Sequence, residues 1–527
     1  MTERGDRRAL TPWAPRILGA LGLGAICVGA GTAQQPDVER WVGGWRGTLR
    51  TGSAEFPVVF HVSAGPAGLS AAMDSPAQGA FGVPMDEVAA VGDTLRLVLR
   101  SAGAGYRGVL REDGTLAGTW TQGAASLPLD LERVHGGGEP DGERTDASGA
   151  PARERADRGA EPAHEGVGAA PAAPDPAARP QTPAPPFPYR AEEVRFPNRA
   201  EAFELAGTLT LPEGAGPFPG VVLISGSGPQ DRDESLMGHK PFAVLADHLT
   251  RSGIAVLRYD DRGVGGSGGD FASATSVELA GDAEAALAWL AARPEVDGER
   301  VGMVGHSEGG LIAPMVAARN PAVAFVVLLA GTGMTGAEII LDQSRRIALA
   351  EGMEPERVER SLEVNRALFQ VVREEGGTEA GEARMRQILN AAIAAMTPGE
   401  RTAAGLTEAS REAWVNGQLA QLRSPWLRHF LGYDPVPALE ATRVPVLALN
   451  GELDLQVPHE GNLAAIRAAL ARGGNPDYAV EALPGLNHLF QTAGTGSPRE
   501  YAHIEETMSP RVLERVSGWI LARFGGG

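Results

Sequence analysis

Cysteine is all but missing. Among 527 residues there is one, Cys27, and it lies in an N-terminal apolar stretch. Loss of that stretch leaves a chain with no disulfide and no thiol chemistry. Histidine is sparse, ten in all, and no His/Cys cluster has metal-ligand spacing. Positive charge is also short. The 47 Lys and Arg stand against 66 Asp and Glu, for a formal charge of −19. Nucleic-acid binding needs a basic face to neutralise phosphate, so this balance argues against such a partner. No glycine-rich segment has the form of a phosphate cradle. The loop Asp260-Asp261-Arg262-Gly263-Val264-Gly265-Gly266-Ser267 comes nearest, but its spacing and helix start are wrong for one. These gaps lead us to expect no metal and no cofactor.

What is present organises the chain. Its length predicts two or three domains, and 43% hydrophobic residues suffice for a full core. Arg4, Arg7, Arg8 and Arg16 precede the apolar run from Ile17 to Ala30, and Gly31-Thr32-Ala33 follows. A basic segment, an apolar segment and small residues predict a signal peptide over 1–33, cleaved after Ala33. The apolar run is short for a membrane span, so the expected location is periplasmic or secreted, with no stable insertion after cleavage. An uncleaved anchor is one alternative. A lipoprotein on Cys27 is another, disfavoured by the bulk of Ile26.

Residues 38–134 alternate short strand-like runs with glycine and acidic turns. Leu95, Leu97 and Leu99 interleaved with Arg96 and Val98 suit a sheet with one wetter face. We expect a small antiparallel β domain, half-barrel in form, with Thr119-Trp120-Thr121-Gln122-Gly123 as a polar turn. It is a scaffold or docking module, or else a substrate-handling surface. Residues 135–188 are rich in Pro, Ala and Gly and read as a disordered linker, lacking the apolar surface to offset chain entropy. From 189 to 527 strands alternate with helices, which predicts an α/β fold: a mostly parallel sheet with helices on both faces. Long helical stretches over about 333–440 interrupt it and predict a helical cap above the sheet edge.

The chemistry centres on Val301-Gly302-Met303-Val304-Gly305-His306-Ser307-Glu308-Gly309-Gly310. A buried strand, a G-x-S-x-G turn and an apolar helix form a nucleophile elbow, with Ser307 at its tip. Side chains at Gly305 and Gly309 would collide with the neighbouring strand and helix. A serine hydroxyl needs a base, and the base needs a carboxylate to orient it. In this sheet type the order is Ser, acid, His. Asp454, after the strand Leu447-Ala448-Leu449, is the acid candidate, with Glu452 its rival. His488, past the last strand, is the base candidate. The oxyanion calls for preorganised backbone donors. We assign the Glu308 amide and, from the loop after Ile224, the Ser227 amide, with Gly228 as rival. Asp231, Arg232 and Asp233 tie that loop down by ion pairing. Trp426 and Phe430, at the end of the cap, are candidates to wall the substrate pocket.

At these residues the chain resembles the α/β-hydrolase superfamily and, within it, EstD-type bacterial carboxylesterases. The motifs are Gly226-Ser227-Gly228-Pro229-Gln230-Asp231-Arg232-Asp233, the elbow, Gly451…Asp454…Val457-Pro458, Asn487-His488 and the cap end Ser424-Pro425-Trp426. The resemblance covers about 189–524. It implies an α/β-hydrolase fold with a helical cap, and a serine carboxylesterase whose partner is a small-molecule ester. The same triad also serves peptidases of the prolyl-oligopeptidase or aminopeptidase type, in which Glu308 or a cap acid would hold a peptide terminus. A non-catalytic binding module that keeps the fold is a third reading.

Overall fold

The computed structural model describes residues 38–134 with short interruptions, 179–403, 406–408 and 410–525. The expected signal peptide and most of the expected linker lie outside these residues. Among the described residues no helix is long and apolar enough to cross a membrane.

The N-terminal unit has two five-stranded antiparallel sheets. The first sheet contains β1 (Gly43–Thr51), β2 (Ala54–Gly65), β3 (Gly68–Ser75) and β4 (Ala80–Pro84). The second contains β5 (Glu87–Val91), β6 (Thr94–Leu99), β7 (Ala104–Leu110), β8 (Leu116–Gln122) and β9 (Ala125–Pro128). A last strand, β10 (Glu132–Val134), returns to pair with β1. Trp41, Trp45, Phe60, Leu95, Leu97, Tyr106 and Trp120 fill one shared core. The observed form is thus a pair of sheets around one core, not a half-barrel. Leu116 to Trp120 read as a strand-like run, and the strand continues through Thr121 and Gln122, expected as turn. Thr119 and Thr121 lie on the wetter face of β8 while Trp120 enters the core, and that alternation is what a half-buried strand requires.

The second unit is built on one eight-stranded sheet. Its strands are β11 (Arg190–Asn198), β12 (Phe203–Leu211), β13 (Phe218–Ile224), β14 (Ala255–Tyr259), β15 (Val296–His306), β16 (Val326–Leu329), β17 (Val446–Gly451) and β18 (Tyr478–Leu483). They lie in the order β11-β12-β14-β13-β15-β16-β17-β18. β12 is antiparallel to both neighbours, and the strands from β14 to β18 run parallel. This is the α/β-hydrolase arrangement. Alternate residues face opposite ways, so Val221 and Leu223 join one core and Val222 and Ile224 the other. One face is covered by α1 (Pro241–Arg251); the other by α2 (Ser276–Ala291) and α3 (Gly309–Ala317). α2 starts where Thr275 and Glu278 form a capping box.

Between β16 and β17 the chain leaves the sheet. It forms α4 (Gly336–Ala350), α5 (Pro355–Glu375), α6 (Glu379–Ala395), α7 (Pro398–Ala403), α8 (Arg411–Leu422), α9 (Pro425–Gly432) and α10 (Val436–Ala441). Leu368, Phe369, Leu389 and Leu427 extend one sheet core into this cap. Then α11 (His459–Gly473) returns to the sheet, and α12 (Pro510–Phe524) packs beside α1.

The ordered unit begins earlier than the composition predicts. Arg179 donates to the carbonyls of Ile504 and Ala502 at 2.7 and 2.8 Å. Gln181 Nε2 donates to the Met508 carbonyl at 2.8 Å. Residues 179–188 are proline-rich, yet these two polar side chains fasten them to the C-terminal region.

Candidate active site

β15 carries the chain through the centre of the sheet and ends at the elbow. Ser307 has φ of 52°, in the left-handed region that a non-glycine residue occupies only under constraint. The flanking glycines permit this. A Cβ on Gly305 would lie 2.0 Å from the Gly309 carbonyl oxygen, and one on Gly309 would lie 2.1 Å from that of Ile224. The Ser307 amide donates to the Leu329 carbonyl of β16 at 2.8 Å, which pins the tip to the sheet.

Asp454 follows β17 and is 1% exposed. Its Oδ1 accepts from the Gln456 and Val457 amides, each at 2.8 Å. Its Oδ2 accepts from His488 Nδ1 at 2.8 Å. The proton therefore sits on Nδ1, and Nε2 keeps its lone pair to receive another. Glu452, the rival acid, is exposed. Asn487 shapes the base loop, its Oδ1 accepting from the Leu489 and Gln491 amides at 3.0 and 2.9 Å. Among the described residues no hydrogen bond joins Ser307 Oγ to His488. Without substrate this bond is often long and tightens in the complex.

The loop after β13 runs against the nucleophile. A Cβ on Gly226 would lie 3.2 Å from Ser307 Cβ. Among the described residues, the amides of Ser227, Gly228 and Glu308 have no hydrogen-bond partner. Partnerless donors beside a strained serine suit an oxyanion. Arg232 and Asp233 hold the loop by ion pairing as expected, whereas Asp231 Oδ1 only accepts from the Asp233 and Ser235 amides, at 3.1 and 3.0 Å. Arg232 Nη2 pairs with Asp260 at 2.8 Å, and Asp233 pairs with Arg258 at 2.7 Å. The glycine-rich Asp260 loop is the other half of this lock. Asp261 accepts from Ser225 Oγ at 3.0 Å and from the Gln230 amide at 2.9 Å. Burial pushes its carboxyl well above the ordinary carboxylate range in spite of these donors.

Glu308 contributes two different groups. Its amide faces the elbow, while its carboxylate turns into the protein, where it is 1% exposed. There it accepts from Ser276 Oγ at 2.6 Å and from Trp426 Nε1 at 2.8 and 2.9 Å. The Ser227 side chain bonds to it as well. Burial raises the Glu308 carboxyl above its ordinary value, and these three donors oppose the shift. Trp426 and Phe430 of α9 stack with centroids 4.9 Å apart. Both are buried between cap and core, so the pair expected to wall a pocket also anchors the cap to the elbow.

Two residues at the site carry no catalytic signature in the sequence, Glu234 and His306. Glu234, φ 53°, lies 72 positions before His306 and meets its Nδ1 at 2.9 Å. Sequence offers little sign of it beyond its place after Asp231-Arg232-Asp233. Among the other described histidines two have buried partners, while His429 Nε2 is buried with none. His239 bonds to Thr507 and the Tyr501 carbonyl, and His248 to Ser517.

The chain is 37% identical over 324 residues to esterase EstD of Thermotoga maritima, covering 60% of this chain and 65% of that protein. The chain thus spans just under two thirds of that relative. An uncharacterized protein of Mycobacterium tuberculosis is 38% identical over 85 residues, 16% of this chain and 29% of its own length. Among solved structures, an esterase of Pyrococcus furiosus matches at 17% identity and a TM-score of 0.38, over 64% of this chain and 92% of that one. A hypothetical protein of Pseudomonas aeruginosa matches at 19% identity and a TM-score of 0.37, over 63% and 93%. The sequence match to esterase EstD bears out the resemblance to EstD-type esterases. The family model described as X-Pro dipeptidyl-peptidase (S15 family) matches residues 201–473. That span is more than half of the chain, and the chain belongs to the S15 family.

Proposed function

We propose that this chain is an exported serine hydrolase that cleaves carboxylic esters through an acyl-enzyme. Ser307 Oγ attacks the ester carbonyl as His488 Nε2 takes its proton. Asp454 keeps the His488 proton on Nδ1 and stabilises the imidazolium that forms. The Ser227 and Glu308 amides hold the oxyanion. The alcohol leaves with the proton from His488, and water then releases the acid by the same steps in reverse order. Trp426 and Phe430 supply the cap side of the pocket. The reading calls for no metal or cofactor.

One observation carries the reading: the buried Asp454–His488 pair, at 2.8 Å, accompanies a strained serine and, among the described residues, the partnerless amides of Ser227, Gly228 and Glu308. The likeness to esterase EstD supplies the word ester. The S15 match favours a second reading, a peptidase. The Glu308 carboxylate weighs against one form of it, since Ser276 and Trp426 already occupy that acid, which leaves a cap acid to receive a peptide terminus.

The test is hydrolysis of a p-nitrophenyl acyl series beside aminoacyl and prolyl anilides, with Ser307→Ala as control. Ester turnover that vanishes in Ser307→Ala supports the esterase. Faster anilide cleavage moves the assignment to the peptidase. Export is checked by N-terminal sequencing of protein made with its own leader. A mature chain beginning at Gln34 is expected, and one that keeps Met1 or starts at Cys27 contradicts cleavage after Ala33.

A further inference from the structure

Beneath the proposed triad lies a second buried imidazole–carboxylate contact. Glu234 Oε1 accepts from the Gly226 amide at 2.7 Å and meets His306 Nδ1 at 2.9 Å. On the other side of the ring, His306 Nε2 donates to the backbone carbonyl of His488 at 3.0 Å. The His306 and His488 rings stand 4.8 Å apart. Three loops therefore meet on one pair: the oxyanion loop through Gly226, the elbow through His306, and the base loop through His488.

A carbonyl oxygen only accepts, so His306 Nε2 carries a proton. Facing an ionised Glu234, which only accepts, Nδ1 carries one too and the ring is an imidazolium; facing a protonated Glu234, Nδ1 accepts and both groups are neutral. Glu234 and His306 are 5% and 6% exposed, and a buried cation needs its counter-charge. Glu234 Oε2 is buried with no hydrogen-bond partner among the described residues, so its charge is met by His306 and the Gly226 amide through Oε1.

We propose that Glu234 and His306 form a positioning pair, a buried carboxylate–imidazolium couple that keeps the oxyanion loop, the nucleophile and the base in one register. Among the described residues, the charged or titratable groups facing His306 are Glu234, His488 and Asp454. Burial works against the charged ring, yet Glu234, with smaller help from the His488 carbonyl and Asp454, lifts His306 above its ordinary value. The proposal rests on the serine-hydrolase reading, because positioning has meaning only for a working triad.

Glu234→Gln is the informative change. Its amide oxygen still accepts from Gly226 and His306, but the ring loses its counter-charge and sheds a proton as pH rises. A neutral ring cannot donate at both nitrogens, so one of the three loops comes loose. Misplacement of about 1 Å costs on the order of 10²-fold in rate. We expect kcat of Glu234→Gln to fall by about that factor with KM within about threefold. We also expect its activity to decline from pH 7 to 9, where the unmodified protein stays level. In the unmodified protein, ring-nitrogen NMR at pH 8 should find both His306 nitrogens protonated, whether or not the variant folds. A neutral His306 at pH 8 overturns the proposal, as does a Glu234→Gln protein with unchanged kcat or with only KM raised. The NMR needs no substrate. An inert protein with a doubly protonated His306 sinks the esterase and keeps the charged couple, whereas an active esterase with a neutral His306 sinks the pair alone.

Discussion

Replacing Asp454 by Asn is the sharpest perturbation of the proposed triad, because the surroundings dictate which way the new amide must face. Oδ1 of Asp454 receives two backbone N–H groups, from Gln456 and Val457, each at 2.8 Å. An Asn that keeps its oxygen there satisfies both. Its NH2 then points at His488 Nδ1, where the carboxylate stood at 2.8 Å. The reverse orientation sets two donors against an NH2 and leaves all three buried groups unpaired, at about 1–3 kcal/mol each. The first orientation therefore wins. It forces His488 to accept at Nδ1 and carry its proton on Nε2, the tautomer that cannot take a proton from Ser307. In a serine-protease triad this wrong-tautomer substitution costs about 10⁴ in kcat. That is about 5.4 kcal/mol of transition-state stabilisation, at about 1.36 kcal/mol per tenfold. The assay is kcat on a p-nitrophenyl ester beside Glu452→Gln, which alters an exposed carboxylate on the same loop. We expect a loss of about 10⁴ for Asp454→Asn and less than about twofold for Glu452→Gln. A loss under about tenfold in Asp454→Asn, or a larger loss in Glu452→Gln, refutes the assignment of the acid.

Three further changes probe the scaffold. Gly309→Ala places a methyl 2.1 Å from the Ile224 carbonyl oxygen, and we expect about 3 kcal/mol of lost stability; an unchanged denaturant midpoint contradicts the close approach. Trp426→Phe keeps the ring stack on Phe430 but removes one donor to the buried Glu308 carboxylate, for about 1–3 kcal/mol. Its hydrogen exchange should quicken in α9 and not in β17, and uniform quickening argues against a cap anchor. For Asp260, burial pushes the carboxyl up, while Arg232 and the Gly266 amide pull it down further, so it ends below its ordinary value of 3.8. A lowered folded value means stability that is present above pH 3.8 and lost as pH falls through the folded value. Asp260→Asn should therefore lower Tm at pH 7, by an amount worth about 3 kcal/mol, and the gap should close in acid. A gap that widens on acidification is the contrary result.

Much of this layout is legible in sequence, for identifiable reasons. β17 is buried at all six positions and reads as an apolar run. The elbow declares itself because only glycine fits at 305 and 309. Asp454 and His488 follow from chain order after two parallel strands. The illegible parts are contacts between residues far apart in the chain. Glu308 meets Trp426 across 118 positions, and Glu234 meets His306 across 72. No local pattern encodes either one. β11 is hard to read from sequence for another reason. It is an edge strand whose first six residues are exposed or half-buried, so Arg190 to Arg195 lack an apolar signature. Arg179 escapes notice because it sits in a proline-rich run whose composition outweighs one buried guanidinium.

The central claim is that Ser307 forms a covalent bond during turnover, and trapping that bond tests it most directly. The protein is incubated with a fluorophosphonate, digested, and the labelled peptide identified by mass spectrometry, with Ser307→Ala and Asp454→Asn alongside. The account predicts one adduct per chain on Ser307, none in Ser307→Ala, and strongly slowed labelling in Asp454→Asn. Failure to label, or an adduct on any other residue, contradicts it.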